Sequence, residues 1–142
     1  MGRPRAWRYD PRVIRKAFRM TVHKGHEAEY ERRHRPIWQE LEQTLVQHGV
    51  GSYSIYLDQA TNDLFGYVEV DDEACWAAIA KTDVCRRWWR HMREIMPVNA
   101  DGSPVSRELR EVFHIETAGV GRPRQGSGVP GRSQAKAGSR DS

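Results

Sequence analysis

Apolar and polar positions alternate from residue 13 to residue 22. Ile14, Phe18, Met20 and Val22 point one way, with Lys16 the charged exception in that row; Arg15, Ala17, Arg19 and Thr21 point the other way. A period of two predicts a strand with one buried face. From 26 to 48 the period lengthens. Ile37, Leu41, Thr44, Leu45 and His48 recur at helical spacing, and Gly49 supplies a C-terminal stop. Pro36 interrupts this stretch. Proline removes a backbone donor and disfavours helix in the residue before it, so a kink or two short helices meeting near Arg35 are expected. Residues 52–57 and 64–70 read as strands, and the run from Asp58 to Asp63 is a turn by composition, which makes the pair a hairpin. Asp71 and Asp72 open a second helical region at the positive end of its dipole, with Cys75, Trp76, Ile79 and Ala80 on the inner face. Lys81-Thr82-Asp83 offers a fresh N-cap for a helix running to about Met96. Residues 97–104 form a polar loop, and 109–115 a last strand.

The order β-α-β-β-α-β is that of an α+β, ferredoxin-like sandwich. Its antiparallel sheet carries the helices on one face. The other face is left open, yet here it holds Tyr or Phe side chains from several strands. An exposed apolar sheet face of that kind marks an interface or a pocket. A homodimer in which two sheets pack face to face is therefore expected.

A chain of 142 residues suits one domain with its own core. The net charge of +4 invites a nucleic-acid reading, but its location removes it. Arg3, Arg5, Arg8 and Arg12 against Asp10 give residues 1–12 a net +3. Arg122, Arg124, Arg132, Lys136 and Arg140 against Asp141 give residues 117–142 a net +4. Residues 13–116 are then left at −3. A nucleic-acid face needs basic residues clustered on the domain itself, so no nucleic-acid partner is expected. The chain thus reads as a basic N-terminal extension (1–12), a domain (13–116) and a basic tail (117–142). The tail is rich in Gly, Ser, Pro and Arg, cannot bury enough apolar surface to offset ordering, and is expected to be disordered. No apolar run approaches the ~20 residues that cross a bilayer, so no membrane partner is expected. The basic start lacks the apolar stretch of a secretory signal. Cys75 and Cys85 make neither a disulfide framework nor a metal-ligand pattern, and read as reduced thiols in a cytoplasmic protein.

Candidate chemistry is sparse. Tyr30 and His34 lie four apart and share one helix face. The surrounding Glu29, Glu31, Arg32, Arg33 and Arg35 need no explanation beyond a solvated helix surface. Trp88 and Trp89 are adjacent, so on a helix they point ~100° apart and cannot both fill one core stripe. One can pack while the other faces a pocket, where an indole suits the C–H-rich side of a sugar ring. Tyr53 opens the second strand, and its hydroxyl could reach between sheet and helix. Trp38 and Trp76 read as core, Cys75 as buried, and His48 as a partner of the last helical carbonyls. The other histidines fit no metal-ligand spacing. No nucleophile elbow, P-loop, dinucleotide fingerprint or HExxH motif is present. A reaction that needs only proton transfer, without a cofactor, stays open.

The segments IRKAFRM, EYERRHRPIWQELE, YSIYLD, ACWAAIAKTDVCRRWWRHM and MPVNADGSPVSRELREVF occur in this order. Together they resemble the L-rhamnose mutarotase family across residues 13–116. TDVCRRWW and the NADGSPVS loop are the most specific of them. The resemblance implies a ferredoxin-like fold with dimers of the α+β barrel type, and an isomerase of rhamnose metabolism. It implies His34, in the RRH-x-PIW motif, as the catalytic acid. It implies Tyr30, Tyr53, Trp88 and Trp89 as substrate-binding residues. Interconverting pyranose anomers means delivering a proton to the ring oxygen and removing one from the anomeric hydroxyl. A histidine with a reference pKa near ~6.5 can do either at neutral pH. Two other readings suit the same architecture: a dimeric α+β barrel monooxygenase and a non-catalytic small-ligand-binding domain.

Overall fold

The computed structural model describes residues 13–117. The basic extension 1–12 and residues 118–142 of the tail lie outside the described residues, and with them the expectation of disorder there. The fold that follows is that of residues 13–112.

Four strands form one antiparallel sheet in the order β2-β3-β1-β4: β1 Ile14–Thr21, β2 Val50–Asp58, β3 Asp63–Val70 and β4 Arg107–Leu109. The order matches the ferredoxin-like expectation. Each helical region is a pair of short helices: α1 Glu27–Arg33 with α2 Gln39–Gln47, and α3 Glu73–Ile79 with α4 Asp83–Met92. Pro36 separates the first pair as its chemistry requires. Side-chain caps start the second pair. The Asp72 carboxylate accepts from the Cys75 N–H at 2.8 Å, and the Thr82 hydroxyl from the Cys85 N–H at 3.3 Å.

Three expectations need correction. The helix expected to reach Met96 ends at Met92 because Ile95 and Met96 turn into the core, at 2% and 3% exposure. The Ile95 carbonyl accepts from the His23 N–H at 2.8 Å, tying the end of α4 to the start of the α1 loop. The last strand, expected at 109–115, spans only Arg107–Leu109. Its ladder with β1 stops at Ala17↔Leu109, and side chains take over: Arg15 holds Glu111 through two hydrogen bonds of 3.1 and 3.2 Å. Phe113 and Ile115, which lend the segment its strand-like pattern, are exposed. Cys75 is exposed rather than buried, because α3 turns Trp76 and Ile79 inward and leaves Cys75 on its outer side.

Register assigns the faces. Met20 pairs with Leu64, and both are buried against Tyr30, Leu41, Val84, Trp88 and Met92 from the helices. On the opposite face stand Tyr56, Phe65 and Tyr67 with Ala17 and Leu109. Tyr56 is 64% exposed. This is the aromatic open face anticipated from the strands. Phe18 faces the helices, across from Gly66. A Cβ on Gly66 would sit 2.5 Å from two atoms of the Phe18 ring, so the glycine is there to let that ring lie across β3. Phe18 in turn meets the ring of Tyr53 edge-on at 6.1 Å. We expect Gly66→Ala to destabilise the domain by about 1–3 kcal/mol through overpacking. Urea unfolding checks this, and an unchanged midpoint would show that Phe18 swings aside freely.

Candidate active site

Between the sheet and the helices runs a groove of about 1340 Å³. Its walls include Tyr30, His34, Tyr53, Trp76, Trp88 and Trp89. Thus α1, β2, α3 and α4 each contribute an aromatic side chain to one space.

His34 owes its position to the way α1 ends. In a continuing helix the Tyr30 carbonyl would accept from the His34 N–H. Here the His34 N–H turns to Glu31 at 3.0 Å and the Arg35 N–H to Arg32 at 3.2 Å. The Tyr30 carbonyl is left to the His34 ring, whose Nδ1 lies 2.8 Å away. A carbonyl only accepts, so Nδ1 must carry the proton. The neutral ring therefore has its lone pair on Nε2. Burial of the ring disfavours the charged form and lowers its pKa; the bond to the Tyr30 carbonyl opposes that shift without cancelling it. Two rings hold the imidazole flat. Tyr30 stacks on it at 4.5 Å between centroids, and Trp88 meets it edge-on at 5.2 Å.

Arg33 ties this end of α1 to the end of α4. Its guanidinium is mostly buried and donates to Glu29 at 2.6 Å, to Glu94 at 2.6 Å and to the backbone carbonyl of His91. Trp88 lies one turn before His91, so the same link holds the indole against the imidazole.

The two phenols remain neutral. Burial raises the pKa of Tyr30, and the nearby Tyr53 raises it further; burial likewise raises that of Tyr53, next to Cys85. Tyr53 as a residue is 38% exposed. It stands on an edge strand and forms groove wall, which counts as surface even while its phenol oxygen is enclosed. Among the described residues neither phenol oxygen has a hydrogen-bond partner, so both face the groove with capacity to spare. Burial also pushes the Cys85 thiol up to about 11, which leaves it unreactive at neutral pH.

All five residues singled out in the sequence line this groove. Trp88 is the packed member of its pair, at 9% exposure, and Trp89 is partly exposed, as their ~100° separation requires. His48 caps its helix, with Nδ1 2.7 Å from the Thr44 carbonyl. Trp38 packs on Trp88 as expected. Trp76, read as core, is instead a groove wall whose ring lies 6.0 Å from that of Tyr53. Nothing in its spacing distinguishes wall from core, because both turn inward from α3. Among the described residues, no group of three or more His, Cys, Asp or Glu side chains is placed to hold a metal ion.

Residues 15–115 match the L-rhamnose mutarotase family. The chain belongs to the L-rhamnose mutarotase family. A family member from Opitutus terrae is 64% identical over 104 residues, covering 73% of this chain and all of the relative. One from Enterobacter sp. strain 638 is 58% identical over the same extent. A solved L-rhamnose mutarotase from Formosa agariphila is 42% identical and covers 72% of this chain and 99% of its own, with a TM-score of 0.67. A Nitrosomonas europaea chain described as a monooxygenase of antibiotic biosynthesis superposes with a TM-score of 0.52 at 11% identity. That likeness is one of fold alone, so it lends nothing to the monooxygenase alternative.

The His34 environment gives a direct expectation. Its imidazole should titrate below the ordinary ~6.5, with the Nδ1–H tautomer dominant above that midpoint. Nitrogen-15 NMR of the ring reads both. Since the folded value is lowered, the stability gained from neutral His34 is present above the unfolded pKa and lost as pH falls through the folded one. A midpoint above ~6.5, or an Nε2–H tautomer, would contradict this.

Proposed function

We infer that this protein is an isomerase that interconverts the α and β anomers of L-rhamnopyranose. The observation that carries the reading is the His34 imidazole in the wall of an aromatic groove, held by Nδ1 with the Nε2 lone pair left free among the described residues. Family membership supplies the substrate class, and the groove supplies the means. In the neutral ring, Nε2 can take the proton of the anomeric hydroxyl. The C1–ring oxygen bond then breaks, the ring oxygen gains a proton, and an open aldehyde forms. Rotation about C1–C2 and closure on the other face return the proton and give the other anomer. The same nitrogen is thus base in one direction and acid in the other, which accommodates the acid role implied for His34.

Tyr30 and Tyr53 are poor bases at neutral pH because burial keeps them protonated. Their role is to donate to, and accept from, sugar hydroxyls and to carry the second proton. Trp88 and Trp89, with Trp76, would wall the C–H face of the ring and its methyl group. Positioned proton transfer of this kind is typically worth ~10²–10⁴-fold. No step in it calls for a cofactor.

The assembly proposed is a homodimer formed by the open sheet face. Tyr56, Phe65 and Leu109 on that face support it, since an apolar patch left to solvent is costly. No helix among the described residues is long and apolar enough to cross a membrane. Two free thiols suit a reducing cytoplasm.

Exchange between the anomeric resonances of L-rhamnose, followed by NMR, tests the activity. Wild-type protein should accelerate it, and His34→Ala should lose ~10²–10⁴-fold of that acceleration while keeping its circular dichroism. Equal acceleration by both would remove His34 from the reaction. For the assembly, sedimentation should give twice the 16.4 kDa of one chain, with Tyr56→Asp shifting it towards monomer. A wild-type monomer at micromolar concentration would refute the dimer.

A further inference from the structure

Lys16 is the anomaly of the first strand. It belongs to the row of β1 that faces the helices, between Ile14 and Phe18 and opposite the fully buried Val68. Its side chain is only 16% exposed. An ammonium in such a row costs desolvation, which an apolar residue at the same position would avoid. Two carboxylates nevertheless converge on it. Glu73 Oε2 lies 2.6 Å from Nζ and Glu108 Oε2 3.3 Å.

The cluster borders the groove. Lys16 and Glu108 line it together with Phe18 and Tyr53. Register explains why. Glu108 pairs with Phe18, so it points to the helix face, diagonally beside Lys16. Tyr53 and Lys16 both pair with Val68, from opposite sides, which places them about 10 Å apart on one floor. Glu73 comes from the first turn of α3, three residues before Trp76, the wall that touches Tyr53.

A pyranose bound with its anomeric centre at His34 still presents hydroxyls on the far side of the ring. The indoles and Phe18 cannot tell one epimer from another, because discrimination requires polar groups that are left unpaired by the wrong sugar, and Tyr30 and Tyr53 can reach only part of the ring. We propose that Lys16, together with Glu108, is the hydroxyl-reading pole of the sugar site. Its ammonium donates to a ring hydroxyl remote from the anomeric carbon, and the Glu108 carboxylate accepts from the neighbouring hydroxyl. This rests on the mutarotase reading of the groove.

The donor count fits. An ammonium has three N–H groups, and Glu73 and Glu108 occupy two of them. Among the described residues the third has no partner, and it can donate to a sugar oxygen. Glu73 then acts as a positioning residue, fixing the ammonium from α3. The hydrogen bond that Lys16 donates to Glu73, chief among the causes, raises the Lys16 pKa, so the donor stays charged at any physiological pH. One cation and two carboxylates leave the cluster at a net negative charge. The pole therefore suits a neutral vicinal diol and rejects a sugar phosphate or a uronate.

The test compares Lys16→Met and Lys16→Arg with wild type in the anomer-exchange assay, using L-rhamnose and its 3-deoxy and 4-deoxy analogues. Lys16→Met should raise KM for L-rhamnose ~10-fold or more, as loss of a charge-assisted hydrogen bond predicts, with a much smaller fall in kcat. Lys16→Arg should recover part of that loss. For one deoxy analogue, which already lacks the hydroxyl, Lys16→Met should cost little further, since the two losses are the same interaction. An unchanged KM, or an equal loss for every sugar, would overturn the proposal. If Lys16→Met does not fold, wild-type protein decides: the lysine ε-CH₂ signals of Lys16 should shift on saturation with L-rhamnose, and unmoved signals would overturn it. Failure of wild type to accelerate exchange would instead remove the mutarotase reading, while the Lys16 shift still reports on the pole.

Discussion

The bond between the His34 ring and the Tyr30 carbonyl is the constraint on which the rest of the site depends. It satisfies a helix-end carbonyl that α1 leaves open. In doing so it fixes the tautomer, and the tautomer fixes which nitrogen keeps its lone pair. Tyr30 supplies both the carbonyl and the ring that stacks on the imidazole. A single i, i+4 pair thus positions the ring, selects its protonation state and forms part of the wall.

Everything around that pair serves to keep α1 where it is. Arg33 locks it to the end of α4 through Glu94 and the His91 carbonyl. Ile95 ties the same region to the loop before α1. Trp88, Met92 and Leu41 fill the space beneath. Burial then performs two tasks at once. It packs the domain, and it lowers the pKa of His34 and keeps both phenols protonated.

Much of this was legible in the residues. Alternation around Phe18 and Met20, the break at Pro36 and the caps at Asp72 and Thr82 each follow from local chemistry, and the structure contains them. The spacing of Tyr30 and His34 showed a shared face, but four-residue spacing alone cannot show that α1 stops at Arg33 and frees a carbonyl. The end of α4 was misread because Ile95 and Met96 continue the helical pattern, while a tertiary bond to His23 unwinds them. The final strand was misread because Phe113 and Ile115 alternate without a neighbour to pair with among the described residues. Trp76 shows a general ambiguity: an inward indole on a short helix is core or pocket wall depending on what the opposite sheet leaves empty.

The most direct test of this account is the pH dependence of kcat/KM for anomer exchange by the wild-type enzyme. With neutral Nε2 as the proposed working group, activity should fall in acid with a midpoint below ~6.5 that coincides with the titration of the His34 ring. A profile that stays flat from about pH 5 to 8, or an acid limb that does not track His34, would contradict the account.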